Sequence, residues 1–209
     1  MKSPGVYIFN RVNSFRRSMA RRKRPSGEAN KHLLEQRGEN TDSFIIRDAT
    51  EADIPALAGL HVKTWNETYR STYKPSLQLR EQQWREQFNN QDGSWFCLLV
   101  ENNKGDLAGY ARGRRYADEH TKNNSGELNK IYLLRDYQRL GLGRRLFASV
   151  VHRFRSMGIN EMVLYGTPQN PSCYFHEAMG GERLWSDKGA FHGGYIWKDL
   201  EKTVLTTRV

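Results

Sequence analysis

Residues 127–147, ELNKIYLLRDYQRLGLGRRLF, carry the most chemistry per residue in this chain. A strand-like apolar run leads into a loop with two glycines and then directly into a helical stripe. The first-turn N–H groups of such a helix have no partners inside it and sit at its positive dipole end. Gly141 and Gly143 would therefore let a phosphate come close to the backbone. The outline is a diphosphate cradle. Neither G-x-G-x-x-G nor G-K-[ST] occurs, which removes a Rossmann turn and a P-loop.

The elements that would hold this turn are legible around it. Phe44–Arg47 reads as a short strand. Thr50 follows as an N-cap, with Asp53 in the capping-box position. A helix with Leu57, His61, Trp65 and Tyr69 on its apolar face comes next, then a second helix from Leu77 to about Phe88. Trp95–Val100 and Leu107–Arg115 read as strands joined by a turn at residues 102–105, NNKG. Glu127–Leu134 is a further strand, and the helix from Gly141 carries Leu146, Phe147, Val150, Val151 and Phe154 up to an αL stop at Gly158. Met162–Tyr165, a short helix at Asn170–Met179, and strands at Glu182–Trp185 and Tyr195–Lys198 complete the order. The strand–helix–strand unit at 127–165 demands a crossover, so its two strands should be parallel neighbours. The expected fold is α/β, a mixed, mostly antiparallel sheet with one parallel β-α-β crossover and helices on both faces.

Gln138-Arg-Leu-Gly-Leu-Gly143 resembles the Q/R-x-x-G-x-G/A motif of the GNAT superfamily of N-acetyltransferases, and the flanking elements resemble that family over roughly residues 44–198. The resemblance implies an acyl-CoA N-acyltransferase fold whose fourth and fifth strands splay around acetyl-CoA, used as co-substrate. Leu133 and Leu134 would pair with the pantetheine arm, and an exposed N–H there could polarise the thioester oxygen. Gln138, Arg139, Leu140, Gly141, Leu142, Gly143 and Arg144 would hold the pyrophosphate. Arg135, Arg145 and Lys130 would be longer-range partners of its charge, and Asn170 would contact the pantetheine arm. Glu127, at the start of the fourth strand, takes the place of a catalytic base for an amine whose ordinary pKa is near ~10.4. Asn170-Pro-Ser-Cys-Tyr-Phe-His-Glu-Ala-Met-Gly-Gly181 resembles the family's following helix but puts His176 where a tyrosine commonly donates the proton. His176 is the expected acid; the alternative is a thiolate that leaves without help. Trp65, Tyr69, Tyr73, Asp118 and Glu119 would form the substrate site, with aromatic faces and negative charge suited to a cationic amine.

Composition bounds the rest. The 209 residues favour one domain plus an extension, with 37% hydrophobic residues to build a core. Residues 1–43 hold ten Lys/Arg against four Asp/Glu, so six of the net +10 charges belong to that segment. It reads as a basic, disordered extension preceding an N-acetyltransferase domain at 44–209. Nucleic acid could be met only through this tail, and a weakly catalytic acyl-CoA-binding domain that works through its tail is the competing reading. Two distant cysteines, Cys97 and Cys173, give no disulfide framework and fit a reducing cytoplasm. His61 on an apolar helix face reads as a core histidine, and no metal site is expected. No run is long enough to span a membrane. The acceptor is an amine of a small molecule or protein, and a homodimer is compatible with the pattern.

Overall fold

The structure, a computed structural model, describes residues 26–69, 75–117, 124–170 and 172–207. Seven strands form one sheet in the order β1-β2-β3-β4-β5-β7-β6. They are β1 Ile45–Asp48, β2 Trp95–Glu101, β3 Leu107–Tyr116, β4 Ser125–Leu133, β5 Met162–Tyr165, β6 Glu182–Trp185 and β7 Phe191–Trp197. Every neighbouring pair is antiparallel except β4 and β5, the parallel pair expected from the crossover. The crossover itself is α4, Leu142–Ser156. Thr50 and Asp53 form the expected cap, with the Thr50 N–H donating to Asp53 Oδ2 at 2.8 Å, ahead of α2, Ile54–Thr68. The turn after β2 closes through Asn102, whose Oδ1 accepts from the N–H groups of Lys104 and Asp106.

Strand alternation puts two different layers on the two faces. On one face α4 packs its fully buried Leu146, Phe147, Val150, Val151 and Phe154. Phe154 meets Phe96 edge-on at 5.0 Å and lies so close over the sheet that a Cβ at Gly126 would be 2.5 Å from its ring. On the other face α2 and α3, Leu77–Asn89, cover Tyr110 with His61 and Trp84. Cys97 is buried on this face, and burial pushes its thiol up to about 12, so it is an inert core residue.

The N-terminal segment corrects the sequence reading. The extension expected to stay disordered as far as residue 43 is helical from residue 27: α1 spans Gly27–Gln36, capped by Ser26, and Leu34 is buried. Besides this local cap, long-range polar contacts that local pattern does not encode tie it to the rest of the fold. Arg37 donates to Asp136 at 2.7 Å, and the buried Asn30 donates to backbone carbonyls of the β4–α4 loop. The described fold thus includes α1 as well as the elements within residues 44–207, and the strongest basic cluster, residues 21–24, lies outside the described residues. At the other end, β7 starts four residues earlier than expected, and an unforeseen helix α6, Leu200–Thr207, packs on α4.

Candidate active site

β4 and β5 pair at only two positions, Gly126 with Met162 and Glu127 with Val163. Beyond them β4 continues to Leu133 beside β3, while Leu164 and Tyr165 pair only with β7, so the sheet opens between the two strands. The Leu134 N–H donates to Ala108 on β3 at 2.9 Å, and the Leu133 carbonyl accepts from Gln138 Nε2 at 2.9 Å. Alternation then directs the Leu133 N–H into the opening, where an extended arm could add as a strand would. Leu133 also lines the helix start, 3.4 Å from where a Cβ on Gly143 would lie.

The loop at the end of β4 has the geometry of an anion cradle. Gly141 takes φ 80° at the N-cap of α4, and Arg139 has φ 64°, a left-handed conformation unusual outside glycine. The first backbone bond of the helix runs from the Arg145 N–H to Gly141 O, leaving the amides of Leu142, Gly143 and Arg144 directed outward. The first turn holds no acidic residue. Arg139 and Arg144 are exposed beside these amides, which fits a diphosphate. Two other arginines expected near the phosphates hold the fold instead. Arg145 donates to the carbonyls of Thr41 and Phe44, and Arg135 is tied to Glu67 by its backbone N–H and its guanidinium. Lys130 is likewise redirected: it lies on the α2/α3 face and donates to Asn129 Oδ1 at 3.2 Å. Desolvation and the neighbouring Arg112 and Arg80 bring it down to about 8. The reason is a β-bulge at Asn129, which shifts the β4 register between Leu128 and Lys130 and returns Lys130 to the same face as Glu127.

Glu127 sits at the last paired position before the opening and is 7% exposed. Arg114 Nε donates to one carboxylate oxygen, and Asn129 Nδ2 donates to the other at 3.2 Å. The carboxylate is thus held in one orientation with lone pairs to spare. Asn170, expected near the pantetheine arm, uses Oδ1 to accept the Ser172 N–H at the head of α5, Cys173–Ala178.

His176 occupies a different environment from the one its expected role requires. Its ring is 4% exposed and lies among Phe175, Tyr195 and Trp197, with ring centroids 5.3–6.4 Å away. Burial lowers it to about 4, so at neutral pH it is an uncharged imidazole with no acidic proton to give. The helix turns Phe175, not His176, toward the α4 N-terminus, where it approaches Gly143. Of the expected substrate residues, Trp65 and Tyr69 come together with ring centroids 4.4 Å apart, and Tyr69 lies near Tyr132 on β4. Tyr73, Asp118 and Glu119 lie outside the described residues. An open depression of about 860 Å³ lies against Gly59, Val62, Asn66, Leu77 and Arg135, but it contains neither Glu127 nor the glycine turn. Among the described residues no group of three His, Cys, Asp or Glu side chains is placed to hold a metal.

Sequence reasoning missed Arg112 and Arg114, which present two cations on one face of an apolar strand. Their i, i+2 spacing in residues 107–116 was the available signal, although their partners on β4 depend on register.

Known proteins with this arrangement identify its class. The acetyltransferase (GNAT) family profile matches residues 59–180, and the chain belongs to that family. It is 31% identical over 172 residues to the uncharacterized N-acetyltransferase YuaI of Bacillus subtilis, covering 77% of this chain and 97% of that protein. The fold is shared with the PaiA N-acetyltransferase of Thermoplasma acidophilum, solved with coenzyme A (TM-score 0.56, 22% identity, 74% of this chain and 98% of that one). It is also shared with a phosphinothricin acetyltransferase of Sinorhizobium meliloti, solved with acetyl-CoA (TM-score 0.56, 19% identity, 74% of this chain and 86% of that one).

Proposed function

We propose that this acetyltransferase moves an acetyl group from acetyl-CoA directly to an amine within a ternary complex, with Glu127 as the base. The observation that carries the reading is the parting of β4 and β5 immediately after Glu127 and Val163, beside a helix start with unused amides. Acetyl-CoA supplies an activated thioester; the residues do the rest. The amides of residues 142–144, with Gln138, Arg139 and Leu140 in the same turn, hold the pyrophosphate. The Leu133 N–H pairs with the pantetheine arm and polarises the carbonyl, and Asn170 adds a contact through its amide. Glu127, oriented by Arg114 and Asn129, accepts the proton that the amine nitrogen sheds as the C–N bond forms. The C–S bond then breaks, and the thiolate leaves without a histidine donor and takes its proton from solvent. His176 serves the aromatic packing between α5 and β7.

The acceptor enters between α2, α3 and β4, where Trp65 and Tyr69 stand; Tyr73, Asp118 and Glu119, the other residues assigned to it from the sequence, lie outside the described residues. Two free cysteines accord with a reducing cytoplasm, and the basic residues within 1–43 supply charge suited to nucleic acid.

Calorimetric titration with acetyl-CoA tests the reading against a Gly143→Glu variant, which puts a side chain and a negative charge at the first turn. Saturable binding by the wild-type protein, lost in the folded variant, is expected. No binding by folded wild-type protein would remove the transferase reading.

A further inference from the structure

Buried polar groups in a folded protein almost always find partners, so a local concentration of unpartnered ones marks a place built for something else. Among the described residues nine buried side-chain atoms lack a hydrogen-bond partner, and six of them share one region. These are His61 Nδ1, Trp65 Nε1, Arg80 Nε, Trp84 Nε1, Tyr110 Oη and Arg112 Nε. His61, Trp84 and Tyr110 form a triangle of rings 5.7–6.2 Å apart. The Arg80 guanidinium lies 5.8 Å from the Trp65 ring centre. Arg112 neighbours Tyr110 two residues along β3, and the two face Lys130 and Tyr132 across the ladder. The region lies between α2, α3 and the face of β3 and β4 that also carries Glu127.

The chemistry of five of the six atoms is one-sided, the sixth being His61 Nδ1, which donates or accepts according to its tautomer. Two indole N–H and two guanidinium Nε–H groups can only donate, and the Tyr110 hydroxyl can do so as well. Arg80, Arg112 and Lys130 add three cationic side chains. The nearby acceptors are already engaged: Gln87 Oε1 takes Arg112, Asn129 Oδ1 takes Arg112 and Lys130, and Glu127 is paired with Arg114. Lys130 is lowered first by burial and further by Arg112 and Arg80, the smaller contribution being the one that reflects the surplus of positive charge. A cationic acceptor, which the sequence favoured, would be repelled here. An acidic group would supply the missing acceptor atoms and the missing charge together.

We infer that the region between α2, α3 and β3–β4 binds the acidic group of the acceptor, making the substrate an amine that also carries a carboxylate or similar anion. Its amine then points along β4 to Glu127, which lies on the same face as Lys130. This assignment rests on the transferase reading for the amine, but the anion site stands on its own geometry.

The test uses a probe without an amine. Glutarate, and its uncharged diamide as control, are titrated into the full-length protein with and without coenzyme A and followed by tryptophan fluorescence, since Trp65 and Trp84 line the site. Glutarate is expected to bind saturably and at least about tenfold more tightly than the diamide. Arg80→Met, and separately Lys130→Met, should weaken glutarate about tenfold while leaving acetyl-CoA affinity unchanged. No glutarate binding, equal binding of the diamide, or indifference to both substitutions overturns the inference. Acetyl transfer is measured separately on amine pairs with and without a carboxylate. Transfer without preference for the acids would remove the anion site and leave the transferase. Glutarate binding without transfer to any amine would do the reverse.

Discussion

Asn30 and Gln138 meet across 108 residues of sequence: the Asn30 amide donates to the Gln138 carbonyl at 2.8 Å and to the Arg135 carbonyl at the same distance. One buried side chain therefore pins both ends of the short turn that precedes the proposed pyrophosphate cradle. Asn30→Asp would set a carboxylate against two carbonyl oxygens. We expect acetyl-CoA KM to rise about tenfold, equivalent to about 1.4 kcal/mol, with kcat changed less than about threefold. Steady-state kinetics at varied acetyl-CoA check this; an unchanged KM would make α1 irrelevant to the cofactor.

Glu127→Gln keeps the shape and the Asn129 contact but removes the base. A fall in kcat of about 10²-fold or more is expected, with acetyl-CoA affinity unaltered. Arg114→Gln should lower kcat less, because it loosens the carboxylate without deleting it. Equal, small effects from both would assign Glu127 to structure alone.

His176 gives a pH prediction of definite sign. Its ordinary value near 6.5 applies to the unfolded chain, and burial lowers it to about 4 in the fold. Between these values the unfolded chain binds more protons, so stability is fully present above about pH 6.5 and is lost as pH falls toward 4. The loss is on the order of 3 kcal/mol. His61, brought down to about 2 by burial and by the nearby Lys130 and Arg80, extends the same slope to lower pH. His176→Phe should flatten denaturant-measured stability between pH 6.5 and 4 while leaving kcat within about threefold. A large kcat loss at full stability would restore His176 as the acid.

Gly126 occupies the joint where β4 and β5 still pair, directly beneath the Phe154 ring. Gly126→Ala forces that ring or the strand to move and should cost about 1–3 kcal/mol in urea unfolding. Phe154→Ala, which empties the same spot, should cost about 3–5 kcal/mol. The double variant should be less damaging than the sum, since the smaller side chain makes room for the new methyl.

Local chemistry was readable where it acts over short distances. The Thr50–Asp53 cap, the turn at Asn102–Gly105, the Gly141 turn and the α4 stripe from Leu146 to Phe154 depend on spacings within one or two turns, and each stands as read. The parallel pairing of β4 with β5 followed from the length of the crossover. What escaped depended on contacts distant in sequence. α1 is short, lies in a basic segment and is held by Arg135, Asp136 and Gln138 about a hundred residues away. The Asn129 bulge, which turns Lys130 away from the phosphates, is a property of register and not of composition. His176 was placed by its slot in a motif, whereas its surroundings are set by Tyr195 and Trp197 on a strand whose start was also misjudged.

With the cofactor placed as proposed, the short pairing of β4 with β5 would make it a structural participant as well as a reactant. A sheet of seven strands that parts after two residue pairs carries two inward-facing edges in its middle, with backbone groups such as the Leu133 N–H directed into the opening. A pantetheine arm laid between them, as proposed, would supply hydrogen bonds the chain does not make for itself and would join two halves of the sheet that are otherwise bridged by one short ladder and by α4. Cofactor affinity and resistance to unfolding are then two readings of the same free energy, and the half-sheet formed by β5, β6 and β7 should gain the most hydrogen-exchange protection when coenzyme A is added.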